Sequence, residues 1–68
     1  MPVISSTISE VGHKDDILYI SFQNGKTYAY TPVSVQTFDA LTHAESVGKY
    51  FHKHIKGNSS LEYRETYL

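Results

Sequence analysis

The chain has 68 residues, no cysteine and a formal net charge of −1. That length holds one domain and buries only about 60% of the surface its unfolded chain exposes, so a stability on the order of 3–5 kcal/mol is expected. The missing thiols exclude disulfides, thiolate metal sites and cysteine nucleophiles, and leave an apolar core or self-association to hold the fold.

The first half reads as strands. Ser5–His13, rich in Ser, Thr, Ile and Val, is a predicted strand. Ile8 and Val11 lie three apart in it, so they share a face only if the strand carries a bulge. His13–Asp16, HKDD, reads as a turn, and Ile17–Phe22 then alternates with Leu18, Ile20 and Phe22 on one face. Asn24-Gly25 signals a hairpin because both residues tolerate positive φ, and Lys26–Thr31 is the return strand. Loop length decides which face Tyr28 and Tyr30 occupy. A two-residue loop pairs Phe22 with Thr27 and sets both tyrosines beside Tyr19, away from Leu18 and Ile20. A three-residue loop, with Gly25 in the left-handed region, pairs Phe22 with Lys26 and gathers both tyrosines onto the aliphatic face. One residue of slip exchanges the faces. The second register is preferred because it gives the cleaner amphipathic sheet. In it Tyr28 and Tyr30 are mainly core with hydroxyls toward the rim, and Tyr19 is the more exposed ring.

The second half reads as helical. Ser34 after Pro32 is a predicted N-cap, followed by Val35, Phe38, Leu41 and Ala44 at roughly helical spacing. Ser46 caps a second predicted helix, in which Val47, Tyr50, Phe51, His54 and Ile55 form a core-facing stripe, with His54 at the core's edge. Gly57 and Asn58 supply its stop. Leu61 and Tyr63 in the tail offer a short C-terminal strand or a segment docked on the core.

Charge is segregated along the chain. Up to residue 45, Lys14 and Lys26 stand against Glu10, Asp15, Asp16, Asp39 and Glu45, a balance of −3. From residue 46 on, Lys49, Lys53, Lys56 and Arg64 stand against Glu62 and Glu65, a balance of +2. Lys49, His52, Lys53 and Lys56 follow i, i+3, i+4, i+7 and predict one basic stripe on the second helix, opposite its apolar face. Lysines there suit phosphate contacts, with His52 donating when protonated. The plainer alternative is a solvated face that complements the helix dipole. Three lysines predict a salt slope of roughly −2 on single strands, hence weak binding without multivalency.

Other chemistry finds little purchase. His52 and His54 on a helix point about 200° apart and do not chelate, and no carboxylate–histidine spacing completes a metal site. Asp15 and Asp16 read as solvated turn carboxylates, and no serine has a base nearby in sequence. Gly25-Lys26-Thr27 lacks the upstream glycine and the following helix of a phosphate loop. No enzyme activity and no cofactor are expected. No apolar run reaches the roughly 20 residues of a membrane span. The opening MPVISSTISE also lacks the basic start and apolar stretch of a signal peptide, so a cytoplasmic location is expected.

Three motifs in order carry a family resemblance: F-x-N-G-x-x-Y-x-Y over Phe22 to Tyr30, A-E-S-x-G-K-Y-F-x-K-H-I-K-G over Ala44 to Gly57, and Y-R at Tyr63–Arg64. Together they resemble the KTSC domain, a family named for the C-terminal domain of some lysyl-tRNA synthetases and found also as a small stand-alone bacterial or phage protein. His52 and Ser34 depart from it, standing where the family tends to have Asn and Pro. The resemblance carries no catalytic residues, and the synthetase attachment implies RNA binding by association.

The combined expectation is a single α+β domain over residues 1–68, with its core from about residue 5 to 64. Three antiparallel strands form a meander, two helices pack on one face, and a short C-terminal strand is optional. Its expected function is a non-enzymatic module for RNA, tRNA-like or single-stranded. Lys49, His52, Lys53 and Lys56 would meet phosphates, and Tyr19 or the rims of Tyr28 and Tyr30 would stack bases. The alternative is a protein-interaction module, such as a phage or prophage modulator of a host protein. An open sheet edge would also allow a weak homodimer.

Overall fold

A computed structural model describes residues 2–67. Its order is three strands, two helical segments and a fourth strand, giving an α+β fold with one antiparallel sheet in the order β1-β2-β3-β4. β1 (Ile8–Lys14), β2 (Ile17–Phe22) and β3 (Thr27–Thr31) form the expected meander. α1 (Val35–Thr42) and α2 (Val47–Phe51) follow, and α2 runs directly into a π-helical turn at His52–Lys56. The tail adds a full strand, β4 (Glu62–Thr66), against β3.

The hairpin at Gly25 sets the faces. Gly25 has φ 89°, its N–H donates to the Phe22 carbonyl at 2.9 Å, and the Phe22 N–H donates to the Lys26 carbonyl at 2.8 Å. This is the three-residue loop, so Tyr28 faces Ile20 and Tyr30 faces Leu18 across the ladder. Partners directly opposite share a face. Leu18, Ile20, Phe22, Tyr28 and Tyr30 therefore lie on the helix side, joined through β4 by Tyr63 opposite Tyr30 and Glu65 opposite Tyr28.

β1 starts later than its composition predicts. Ser5 Oγ accepts from the N–H groups of Thr7 and Ile8, both at 3.2 Å, which bends the chain ahead of β1, and the Thr7 carbonyl still accepts from the Gln23 N–H at 2.8 Å. The register of β1 on β2 then shifts between Ile8 and Glu10, and this bulge puts both Ile8 and Val11 in the core. The β1–β2 turn is also tighter than HKDD suggests. His13 and Lys14 pair with Leu18 and Ile17, and only Asp15 and Asp16 turn, with φ of 52° and 61°.

Both predicted caps are present. Ser34 Oγ accepts from the Thr37 N–H at 3.2 Å, and Ser46 Oγ accepts from the Lys49 N–H at 3.3 Å. Leu41, Val47, Phe51 and Ile55 press on the sheet with Val33, while Val35 is 58% exposed and leaves the predicted stripe. Phe51 sits at the centre of the core, with the rings of Phe22 and Tyr30 edge-on to it at centroid distances of 5.6 and 5.4 Å. Gly57 ends the helical segment with φ −83°, so it is not a left-handed cap; a Cβ there would meet the His52 carbonyl at 3.4 Å. No helix among the described residues is long and apolar enough to cross a membrane.

Candidate nucleic-acid interface

The π turn redistributes the predicted basic stripe. In a π turn the backbone bond reaches from i to i+5, so each residue advances the helix by less angle than in an α-helix. Lys49 and Lys53 stay opposite the buried pair Phe51 and Ile55 and are exposed. His52 is also exposed and rests edge-on against Phe51, at a centroid distance of 5.8 Å. Lys56 turns toward the sheet, where it lines a groove of about 320 Å³ with Phe22, Tyr28, Tyr30 and Tyr63. The same rotation corrects the place of His54. It is exposed and lies over the Tyr50 ring at 4.3 Å, rather than at the core's edge.

The floor of the groove is aromatic. Tyr63 stacks on Tyr30 with centroids 5.4 Å apart and planes 25° apart, and it meets Tyr28 edge-on at 6.3 Å. Tyr28 in turn meets Phe22 edge-on at 5.8 Å. The three tyrosines differ in access. Tyr30 is only 6% exposed, Tyr28 is half-buried and Tyr63 is 66% exposed. Tyr30 is therefore the support beneath Tyr63 and presents no free face of its own. Burial, with the neighbouring Tyr63 and Tyr28 phenols, raises the Tyr30 pKa above the usual 10.0.

Tyr19 lies apart from this cluster. It pairs with Gly12 on one side and Ala29 on the other, on the sheet face that the helices leave uncovered. The sheet thus separates Tyr19 from Lys56, and the two do not form one surface. A second hollow on the uncovered face, about 400 Å³, is bounded by Ile17, Ala29, Thr31, Glu62, Tyr63 and Arg64. Tyr63 belongs to both because β4 is the last strand of the sheet. Its exposure could have been anticipated only by placing the tail as a strand next to β3.

His13 has a role that its sequence context did not suggest. Its Nε2–H donates to the Val33 carbonyl at 2.6 Å and its ring stacks on Phe38 at 5.2 Å, while the Val33 N–H donates to the Asp16 carbonyl at 2.7 Å. These contacts fasten the start of α1 to the β1–β2 end of the sheet. Among the described residues, no three His, Asp or Glu side chains come together as a metal site.

The chain is similar to known proteins over most of its length. The family model of the KTSC domain matches residues 4–58, which covers β1 through the π turn and stops before β4. A protein of Tsukamurella paurometabola is 39% identical over 57 residues, spanning 81% of this chain and 85% of that protein. The crystal structure of a KTSC domain protein from Yersinia pestis superposes with a TM-score of 0.86 at 33% identity, over 98% of this chain and 94% of the other. By family model, relative and fold alike, this chain belongs to the KTSC domain family.

Proposed function

We propose that this domain is a non-enzymatic binding module for single-stranded or tRNA-like RNA, and that the groove between the π turn and β4 is its contact surface. One observation carries this reading: Lys56 closes a groove whose open wall is Tyr63, an exposed ring backed by Tyr30. A base stacked on Tyr63 would place its phosphate toward Lys56, with Lys49, His52 and Lys53 exposed on the same helical segment for neighbouring phosphates. Glu65, opposite Tyr28 on this same face, opposes a phosphate at the β4 end of the groove and leaves the Lys56 end as the favourable one. The synthetase-appended form implied by the family resemblance points the same way by association.

The test is a titration of labelled tRNA and of a single-stranded oligonucleotide at low salt. Tyr63→Ala is expected to cost about 1–3 kcal/mol, the worth of one stacked base. Lys49→Ala, Lys53→Ala and Lys56→Ala combined are expected to reduce affinity about tenfold or more. Unchanged affinity in both variants, with folding verified by circular dichroism, defeats the reading. A protein partner is the second reading, favoured by the outer edge of β4, which pairs with no strand among the described residues. Recovery of partners from lysate that survives nuclease treatment would support it over RNA.

A further inference from the structure

The two edges of the sheet are treated differently. Beside β1 lies the N-terminal segment, whose Pro2 bridges Glu10 and whose Val3 N–H donates to the Ser9 carbonyl at 3.2 Å. The bulge between Ile8 and Glu10 disrupts that edge further. β4 at the other edge has no bulge in its pairing with β3 and no neighbour on its outer side among the described residues.

The ladder fixes which backbone groups of β4 point outward. Phe22 and Lys26 are a hydrogen-bonded pair, and such pairs alternate along an antiparallel ladder. Tyr28 and Tyr30 therefore aim their backbone groups at β2, while Thr27, Ala29 and Thr31 aim theirs at Thr66, Arg64 and Glu62 of β4. On β4 the N–H and C=O groups of Tyr63 and Glu65 are left pointing away from the sheet. An outward strand edge of this kind accepts another strand.

We infer that a second copy of this chain pairs there, β4 against β4, about a two-fold axis at Tyr63. Sequence selects this register. An antiparallel two-fold pairing centred on Glu62, Arg64 or Glu65 sets that residue opposite its own charge, and one centred on Thr66 overlaps only the end of the strand. Centred on Tyr63, it sets Glu62 opposite the partner's Arg64 twice and no like charges opposite each other. Tyr63 then exchanges N–H···O=C bonds with the partner's Tyr63, and each Glu65 N–H reaches the carbonyl of the partner's Leu61. The two Tyr63 rings stand side by side on the helical face, so base stacking on Tyr63 belongs to the monomer and the dimer offers its lysines alone. The Leu61 N–H is not needed, since it already donates to the Asn58 carbonyl at 3.1 Å. The axis stands perpendicular to the sheet. The result is one eight-stranded sheet with both helical layers, and both groups of lysines, on the same side.

Sedimentation equilibrium over the micromolar to millimolar range tests this without any RNA. The wild-type chain is expected to move from its 7.7 kDa monomer mass toward twice that value. Arg64→Glu opposes a carboxylate to the partner's Glu62, and Glu62→Arg opposes a guanidinium to the partner's Arg64. Each variant alone is expected to raise the dimer dissociation constant about tenfold or more. Mixing the two restores both opposite-charge pairs and is expected to recover the dimer. A wild-type chain that stays monomeric throughout overturns the inference and leaves the edge to a foreign strand. A dimer that both single variants preserve overturns the register.

Discussion

Tyr30 is where burial, aromatic packing and ionisation meet in one side chain. It is held between Phe51 and Tyr63, and its phenol is more acidic in the unfolded chain than in the folded one. Between the ordinary value of 10.0 and the raised folded value, the unfolded state sheds a proton that the folded state keeps, so stability falls as pH rises through that window. Below the window the contribution is complete. Urea unfolding at a series of alkaline pH values is expected to show this loss, and Tyr30→Phe is expected to flatten it. The phenolate absorbance of the folded wild-type protein should also contain one late-titrating tyrosine that the variant lacks. A variant with the same alkaline slope would show that Tyr30 does not carry the effect.

Among the elements, the two hairpins solve the turn problem with different residues. Gly25 takes its left-handed φ without a side-chain penalty, whereas Asp15 and Asp16 adopt positive φ as L-residues with a Cβ. A two-residue loop with both φ positive favours Asn-Gly or Asp-Gly. Asp16→Gly is accordingly expected to stabilise the domain by about 0.5–1 kcal/mol, read from the midpoint of urea unfolding. Gly25→Ala, at φ 89°, is expected to destabilise it by about 1 kcal/mol. The contrast also explains what was legible in the sequence. Asn24-Gly25 and the two capping serines act through bonds within three or four residues, so local chemistry specifies them. The interval from Ile8 to Val11 likewise showed that the two share a face only through a bulge, and the register shift between Ile8 and Glu10 meets that condition. The π turn left no such mark, because Lys49, His52, Lys53 and Lys56 fit α-helical spacing and only packing of Phe51 and Ile55 on the sheet decides how the turn winds. His13 and Tyr63 were hidden for a related reason. Their partners, Val33 and Tyr30, lie 20 and 33 residues away.

Over the whole molecule, the acidic β1–β2 turn and the groove lie toward different ends of the sheet. The acidic Asp15–Asp16 turn closes the Ile17 end of β2, while Lys26 stands near the opposite end beside Phe22. Lys56 reaches the groove beside Phe22 and Tyr28, away from the acidic turn. A net charge of −1 therefore does not preclude attraction of a polyanion, because the field at the groove is set by its local charges, Lys56 with Lys26 near Phe22 against Glu65 opposite Tyr28, and is screened from the acidic turn within about one Debye length, about 8 Å at physiological salt. Three lysines neutralising three phosphates predict a slope of log K against log salt of roughly −2 for single strands. If the two-fold pairing at β4 lets one strand cross both helical faces, twice as many phosphates are engaged and the slope steepens to roughly −4. Binding isotherms on short and long single strands, each measured at several salt concentrations, separate these cases. A short strand that reaches one groove should keep the shallow slope even on the dimer. A long strand should show the steep slope on the wild type and revert to the shallow one on Arg64→Glu, whose groove lysines are intact. A slope near zero on every strand would mean that the lysines do not meet phosphates at all.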